Sequence, residues 1–385
     1  MKVLIVHNRY KKIGGEDKVV KSESRLLKTG GQSAFHFEKD NCGIVKYRAS
    51  LFFESIWSSR SSNELVCIIE KFKPDIIHIH NTFPLISPSI YNSIKSYHVP
   101  VVQTLHNFRL LCANALFLRG GLPCEDCLNK IPWRSVVHAC YRNSRSASFT
   151  ATSVIAVHRA LKTYEKYVDR FIVLSEFSKA KFVEAGFDES KLCIKPNFVD
   201  VDKTNDAQIR YGGLFVGRLS HEKGVGVLIE ACHKRDGLSI TLIGDGDFHS
   251  QILQCNSINH VGIKDQEDVY AEMQKHLFLV VPSICYESFG RVVVEAFANS
   301  LPVIASDLGS LSELVEDGVT GLLFNPGDSD DLAEKLTWAN THQKEMLEMG
   351  ENARRLYEEK YTPDQNYEQL MNIYNEAIEH AGTRK

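Results

Sequence analysis

Short apolar runs alternate with amphipathic stretches along almost the whole chain. Residues 2–6, 33–37, 75–80, 101–105 and 170–174 form a first series of runs, most of them rich in Val and Ile and flanked by Gly or Pro. A continuous apolar run of this length predicts a strand buried on both faces of a parallel sheet. Gly14-Gly15-Glu16 opens a helix that Gly30-Gly31 ends. A second series follows a polar break at 200–210, with strands predicted at 214–216, 240–243, 277–281 and 302–305 and helices at 225–234 and 291–299. The last stretch, 364–380, carries Leu370, Ile373, Tyr374 and Ala377 at helical spacing. Two βαβ series predict two doubly wound α/β domains, residues 1–200 and 201–363, followed by a C-terminal helix over 364–385. Open parallel sheets bind ligands beyond the carboxyl ends of their strands, so two such sheets facing each other would put the site in the cleft between them.

Composition narrows the class. Of 385 residues, 43% are apolar and 24% charged, values of a globular chain with ample core and not of a disordered or fibrous one. No stretch approaches the ~20 apolar residues of a membrane span. The first apolar run gives way after four residues to His7, Asn8 and Arg9, too short for a secretory leader, so a cytoplasmic protein is expected. The net charge of −3 hides an asymmetry: residues 1–190 hold 27 Lys+Arg against 17 Asp+Glu, and residues 191–385 hold 18 against 31. A basic half joined to an acidic half suggests different partners for the two domains, an anionic membrane surface among them. No DNA-binding module and no basic-aromatic platform is evident, which argues against nucleic acid.

Two loops carry the candidate chemistry. Glu287-Ser288-Phe289-Gly290-Arg291-Val292-Val293-Val294-Glu295 crosses a loop-to-helix junction after a strand. Free N–H groups at that helix N-terminus offer an anion site, and a carboxylate on each side suits the hydroxyls of a sugar nucleotide. Glu-x7-Glu alone is a common spacing. Gly217-Arg218-Leu219-Ser220-His221-Glu222-Lys223-Gly224 follows the first strand of the second series and places Arg218 and Lys223 five apart between glycines, able to converge on a diphosphate. There is no P-loop, and no Gly-x-Gly-x-x-Gly follows the first strand, which disfavours a nicotinamide-dependent dehydrogenase.

With Gly14-Gly15-Glu16, the DIIHIHN strand ending at Asn81, Thr104-Leu105-His106, Lys195-Pro196-Asn197, GRLSHEKG, Ile243-Gly244-Asp245-Gly246, ESFGRVVVE after Pro282-Ser283, and the run from Ala305-Ser306-Asp307 to Gly321, the chain resembles family 4 glycosyltransferases of the GT-B fold, polysaccharide-biosynthesis type, over nearly its whole length. The resemblance implies two Rossmann-like domains facing across a cleft, with the C-terminal helix returning to the first domain. It implies a retaining transfer of a sugar from a nucleoside-diphosphate sugar. By position, Arg218 and Lys223 would hold the diphosphate and Glu295 the ribose. Glu287 would contact the transferred sugar beside the amides of Phe289 and Gly290, Gly15 would let the backbone approach the diphosphate, and His106 would face the donor sugar. Arg291 departs from the family pattern, where an apolar residue is common. No catalytic nucleophile is assignable, and two cations with a helix N-terminus need no metal for catalysis. Glu16 reads either as an acceptor-side carboxylate or as the cap of its own helix. A nucleotide-sugar epimerase or a catalytically silent scaffold would share the binding motifs; a phosphorylase would need a pyridoxal-phosphate lysine, for which there is no signature.

Three further patterns remain. Cys112-x11-Cys124-x2-Cys127-x12-Cys140 has the spacing of a structural zinc site, against the alternative of four reduced thiols in a loop. His78 and His80, on one strand, are expected to point to opposite faces and so not to share a metal ion. Lys46, Arg48, Leu51, Phe52, Phe53, Ile56, Trp57 and Arg60 read as one interfacial helix, or as an ordinary amphipathic one packed on the first domain. With the basic half, it predicts a peripheral protein on the inner face of the plasma membrane acting on a lipid-linked saccharide.

Overall fold

A computed structural model describes residues 1–11, 14–43, 49–201 and 209–382. In chain order its strands are β1 (Lys2–Arg9), β2 (Ser33–Asp40), β3 (Ile76–Asn81), β4 (Val101–Thr104), the short pair β5 (Leu118–Arg119) and β6 (Leu122–Pro123), β7 (Arg170–Val173), β8 (Leu192–Ile194), β9 (Gly213–Val216), β10 (Ile240–Ile243), β11 (Ile258–His260), β12 (Phe278–Val281), β13 (Val303–Ser306) and β14 (Gly321–Phe324). The chain divides into two compact units. One comprises Met1–Leu116, Glu125–Pro196 and Asn366–Lys385; the other comprises Phe117–Cys124 and Asn197–Gln365.

The first unit holds a parallel six-stranded sheet in the order β2-β1-β3-β4-β7-β8. Val3 to Val6, Ile76, Ile77, Ile79, Val101 and Val102 are all buried, because helices cover both faces of the central strands. The order reverses direction at β1 and β3, the switch point where such sheets bind ligands. The C-terminal helix Pro363–Gly382 belongs to this unit: Tyr374 is fully buried and its hydroxyl lies 2.7 Å from His78 Nδ1. The segment expected to form one interfacial helix is broken within its described part into Ala49–Ile56 and Ser59–Phe72. Ser58 between them accepts the Ser61 amide as an N-cap, a role that Ser takes readily and that starts a helix anew. Lys46 and Arg48 lie outside the described residues.

The second unit repeats the architecture with a parallel sheet in the order β11-β10-β9-β12-β13-β14. Its core gathers Phe215, Leu228, Leu242, Phe278, Val280, Ile304 and Leu332 from strands and helices. The β5–β6 excursion belongs to this unit, where Phe117 meets Tyr286 edge-on, centroids 6.0 Å apart.

Candidate active site

In the second unit, β9 and β12 are neighbours, and their carboxyl ends launch the two loops singled out above. After β9 the chain passes Arg218 and a turn over His221–Lys223, then starts the helix Val225–His233. Gly224 at the junction has φ +69, and a Cβ there would stand 1.7 Å from the Pro282 carbonyl oxygen, so the close approach of the two loops requires glycine. The Ile284 amide donates to the Glu222 carbonyl and ties the loops together. The Lys223 ammonium meets Glu287 Oε1 directly, and Ser283 Oγ donates to the same oxygen at 2.8 Å. Burial pushes the Glu287 pKa upward, but Lys223 more than offsets it, so the carboxyl sits below its ordinary value; the same pair raises Lys223 against its own burial. Arg218 is largely exposed and pairs with Glu222 at 3.1 Å.

Phe289 and Gly290 lead into the helix Arg291–Ala298, and Gly290 is packed tightly enough that a Cβ would stand 2.9 Å from Leu311. Glu295, on the second turn, is buried and held by Gln266 Nε2 at 3.2 Å and Arg291 Nη2 at 3.4 Å. Arg291 is thereby placed: it stands one turn before Glu295, with Nε and Nη1 buried and unbonded. The second unit therefore brings Lys223 and Glu287 into contact, puts Arg218 on the same loop as Lys223, and sets Phe289, Gly290 and Glu295 along one loop and helix. Three ion pairs thus meet at the carboxyl ends of adjacent strands and the helix that follows: Arg218 with Glu222, Lys223 with Glu287, and Arg291 with Glu295.

The first unit has its own cavity, with Tyr10, Glu16, Asn81, His106, Asn107 and Arg109 among its polar lining. Gly15, beside Glu16, has nothing within 4 Å of where a Cβ would stand. Glu16 does not cap its helix. Asp17 does, accepting the Gly14 amide at 2.8 Å, while Glu16 Oε2 accepts from Tyr10 at 3.1 Å and from Asn107 at 3.4 Å. Glu16 Oε1 is buried and unbonded, 3.7 Å from His7 Nδ1. Desolvation dominates and raises the Glu16 pKa to about 7, against the opposing pull of His7 and Tyr10. Arg109 is stacked over the Tyr141 ring, 4.5 Å from its centroid, and donates to the Ala113 carbonyl. Tyr10, Asn107 and Arg109 were not signalled by the sequence: Tyr10 follows β1, Asn107 and Arg109 follow His106, and only the fold brings Tyr10 and Asn107 together on Glu16.

Behind this cavity lies a buried cluster. His78 and His80 do not point to opposite faces. Side chains in a strand return to the same face every second residue, so residues two apart share one, and the rings are 4.1 Å between centroids. Glu23, His78 and His80 bring one donor atom each within 4.8 Å of one another, near enough to meet a single metal ion. The same carboxylate already carries a counter-charge, Lys195 Nζ at 3.0 Å, and Lys195 also donates to Asn366. Burial would raise Glu23, but Lys195 and His78 outweigh it and hold its carboxyl well below the ordinary range. Both His78 nitrogens have hydroxyl partners, Tyr374 and Thr104, each at 2.7 Å.

Among the cysteines of the zinc-like pattern, Cys112 is buried and donates its thiol to Asn114 at 2.9 Å, while Cys124, Cys127 and Cys140 are half-buried. Cys112, Cys127 and Cys140 belong to the first unit and Cys124 to the second. No helix among the described residues is long and apolar enough to cross a membrane.

The chain has relatives among known proteins. The family "Glycosyl transferases group 1" matches residues 208–356, and "Glycosyltransferase Family 4" matches residues 25–203, so that the two together take in most of the chain. The chain is 29% identical over 323 residues to the uncharacterized glycosyltransferase MJ1178 of Methanocaldococcus jannaschii, covering 80% of this chain and 77% of that protein. It is 27% identical over 174 residues to the O-antigen chain mannosyltransferase C of Escherichia coli, 43% of this chain and 47% of that one. Among solved structures, Anabaena HepE in complex with UDP-glucose superposes with a TM-score of 0.68 at 18% identity, over 97% of this chain and 98% of that one.

Proposed function

Since the chain belongs to the GT-B glycosyltransferases related to group 1 and family 4, we propose that it is a retaining glycosyltransferase that moves a sugar from a nucleoside-diphosphate sugar to a saccharide acceptor. The observation that carries this reading is the contact of Lys223 with Glu287 at the carboxyl ends of β9 and β12, one loop and helix away from Glu295. A nucleoside diphosphate departing from the anomeric carbon gains negative charge, and preorganised cations stabilise it there. Arg218 and Lys223 supply two, together with the N-terminus of helix Arg291–Ala298, so transfer proceeds without a catalytic metal. Binding of the diphosphate draws Lys223 toward the phosphates and frees Glu287 for the hydroxyls of the transferred sugar. Glu295 takes the ribose hydroxyls, with Arg291 and Gln266 fixing its carboxylate. In a same-face displacement the bond from the anomeric carbon to the phosphate oxygen breaks, the acceptor oxygen bonds to that carbon, and the acceptor proton passes to the departing phosphate. His106 faces the donor sugar, and Gly15 admits the diphosphate near the backbone.

The acceptor meets the first unit, where Glu16 takes a hydrogen bond from its hydroxyl. A lipid-linked acceptor is supported by the surface of that unit. Phe53, Trp57, Trp133, Val137 and Phe149 are all exposed and Phe52 stacks on Phe149; Arg60 and Arg134 lie close by in the sequence, paired with Glu64 and Asp126. Exposed aromatic and aliphatic side chains on a unit with a net positive charge suit a reversible interfacial contact with an anionic bilayer on the cytoplasmic side. Spacing is what supports a structural zinc ion at Cys112, Cys124, Cys127 and Cys140, whereas the group that the described residues gather closely enough to meet one ion is Glu23, His78 and His80. The test of the central reading is a panel of uridine, guanosine and adenosine diphosphate sugars with nucleoside-diphosphate release as readout. One donor turning over in an acceptor-dependent way supports it, and hydrolysis-free binding of every donor without transfer to any acceptor refutes it.

A further inference from the structure

Part of the lining of the first-unit cavity differs in kind from the polar group around Glu16. Helix Arg145–Ala160 contributes Ala151, Val154 and Ile155, spaced three and four apart on one helix face and each buried. Strand β4 contributes Gln103, which is only 6% exposed. Thr104, the next residue, turns to the other face of the sheet, where its hydroxyl meets His78 Nε2. Successive side chains of a strand alternate, so Gln103 points away from the histidines. Its Oε1 is buried and has no hydrogen-bond partner among the described residues. We propose that this side of the cavity takes the acetamido group of the acceptor sugar, with Gln103 Oε1 accepting its N–H and Ala151, Val154 and Ile155 packing on its methyl. The inference rests on the reading that the acceptor meets the first unit, and adds a substrate class to it.

The argument is one of complementarity. A buried acceptor left without a donor is costly, and native structures rarely keep one without a reason. A bridging water needs two to four polar partners, and the three helix side chains offer none. A sugar hydroxyl could donate to Gln103 but would lay a polar oxygen against methyl groups. An acetamido group carries a donor N–H and a methyl group on one planar unit. Its carbonyl is anti to the N–H and so turns back from Gln103. Burying the methyl is worth roughly fourfold in affinity, and the hydrogen bond adds selectivity, because an acceptor sugar without the N–H leaves Gln103 unpaired.

Binding is read on the full-length protein labelled with 13C-methyl isoleucine, the Ile155 signal being identified by its loss in Ile155→Val. The probes are the methyl glycosides of 2-acetamido-2-deoxyglucose and 2-acetamido-2-deoxygalactose, set against those of glucose and galactose, each with and without the nucleoside diphosphate that the protein binds. At least one acetamido probe is expected to shift the Ile155 signal saturably and to show a nuclear Overhauser contact from its acetyl methyl, while the hexose probes do neither. Silence with both acetamido probes, or equal shifts with the hexoses, overturns the proposal without any variant. Gln103→Met keeps the length of the side chain and removes the acceptor. It is expected to weaken the acetamido probe roughly 5- to 150-fold and to erase its advantage over the hexose. Wild-type preference in a folded Gln103→Met protein also overturns the proposal. In turnover, kcat/KM is expected to favour the acetamido glycoside in the wild type and to lose that preference in the variant. Transfer to a hexose glycoside with none to the acetamido glycosides sinks the proposal and leaves the transferase reading standing. Acetamido binding at Ile155 with no donor turned over supports the site and refutes the transferase reading instead.

Discussion

Replacing Glu16 by Gln tests the first unit at its most informative atom. The side chain is 8% exposed, and its carboxyl is raised from 4.5 to about 7. A carboxyl whose folded pKa lies above its unfolded value binds its proton more tightly in the folded state. Its contribution to stability is therefore complete below pH ~4.5 and is lost as pH rises through about 7. A shift of roughly 2.5 units corresponds to about 3 kcal/mol, of which about 2–3 kcal/mol falls between pH 5 and pH 8. Gln keeps the shape and removes the titration, so Glu16→Gln should flatten this part of the profile and be the more stable protein at pH 8. Trp57 and Trp133 are in the first unit and Trp338 in the second. Urea unfolding followed by tryptophan fluorescence in a Trp338→Phe background therefore reports the relevant unit. Other groups titrate over the same range, so the quantity to measure is wild type minus variant at the two pH values. A double difference under about 0.5 kcal/mol would refute the argument that burial governs this carboxyl. If Glu16 also binds the acceptor hydroxyl as an anion, kcat/KM for the acceptor should rise with a midpoint near pH 7 in the wild type. A variant that keeps both the rate and the rise removes Glu16 from the acceptor site.

Three other outcomes are expected. Arg218→Ala, Lys223→Ala and Glu295→Ala should each weaken donor binding by roughly 10- to 150-fold, the loss of one charge-assisted contact of ~1.5–3 kcal/mol; calorimetry with the donor found in the panel checks this, and wild-type affinity in all three would remove the assignment. Turnover should survive chelator, and the purified protein should retain one equivalent of zinc that disappears in Cys124→Ser along with thermal stability; strict dependence on added Mg²⁺ or Mn²⁺, or metal-free protein of full stability, would contradict the respective parts. Sedimentation with anionic liposomes should fall with salt and drop in Trp57→Ser combined with Arg60→Glu, whereas indifference to such liposomes at low salt would point to a soluble acceptor.

The sheets were legible because burial on both faces leaves an unbroken apolar run, as in residues 3–6 of β1 and 278–281 of β12. In the two six-stranded sheets the strands that went unmarked are β8, β11 and β14, each three or four residues long and at a sheet edge, where β11 reads only Ile-Asn-His. A short edge strand needs little apolar sequence, since its register is set by the neighbour it pairs with. The loops of the second unit were legible for a related reason: a strand end fixes where a loop begins, so Arg218, Lys223 and Glu287 could be placed by counting. What the sequence did not disclose is pairing across elements. The direct contact of Lys223 with Glu287, and the gathering of Tyr10 and Asn107 around Glu16, depend on loop conformations that no local pattern encodes. The histidines on β3 share a face because residues two apart in a strand do, and their neighbour, Glu23, sits on a helix whose packing decides the contact.

The return of the C-terminal helix to the first unit sets a timetable for synthesis. Lys195 and Asn366, hydrogen-bonded in the folded protein, are 171 residues apart in the chain. A ribosome adding ~5–20 residues per second needs roughly 10–30 s to bridge that interval, and during it the main segment of the second unit, Asn197–Gln365, is made. Throughout that time Glu23 and Lys195 wait without Asn366, and His78 waits without the Tyr374 hydroxyl that covers it. The half of the molecule begun first is thus the half completed last, and a stop codon just after Gln365 releases a chain whose second unit is whole and whose first unit lacks the helix that covers its polar core.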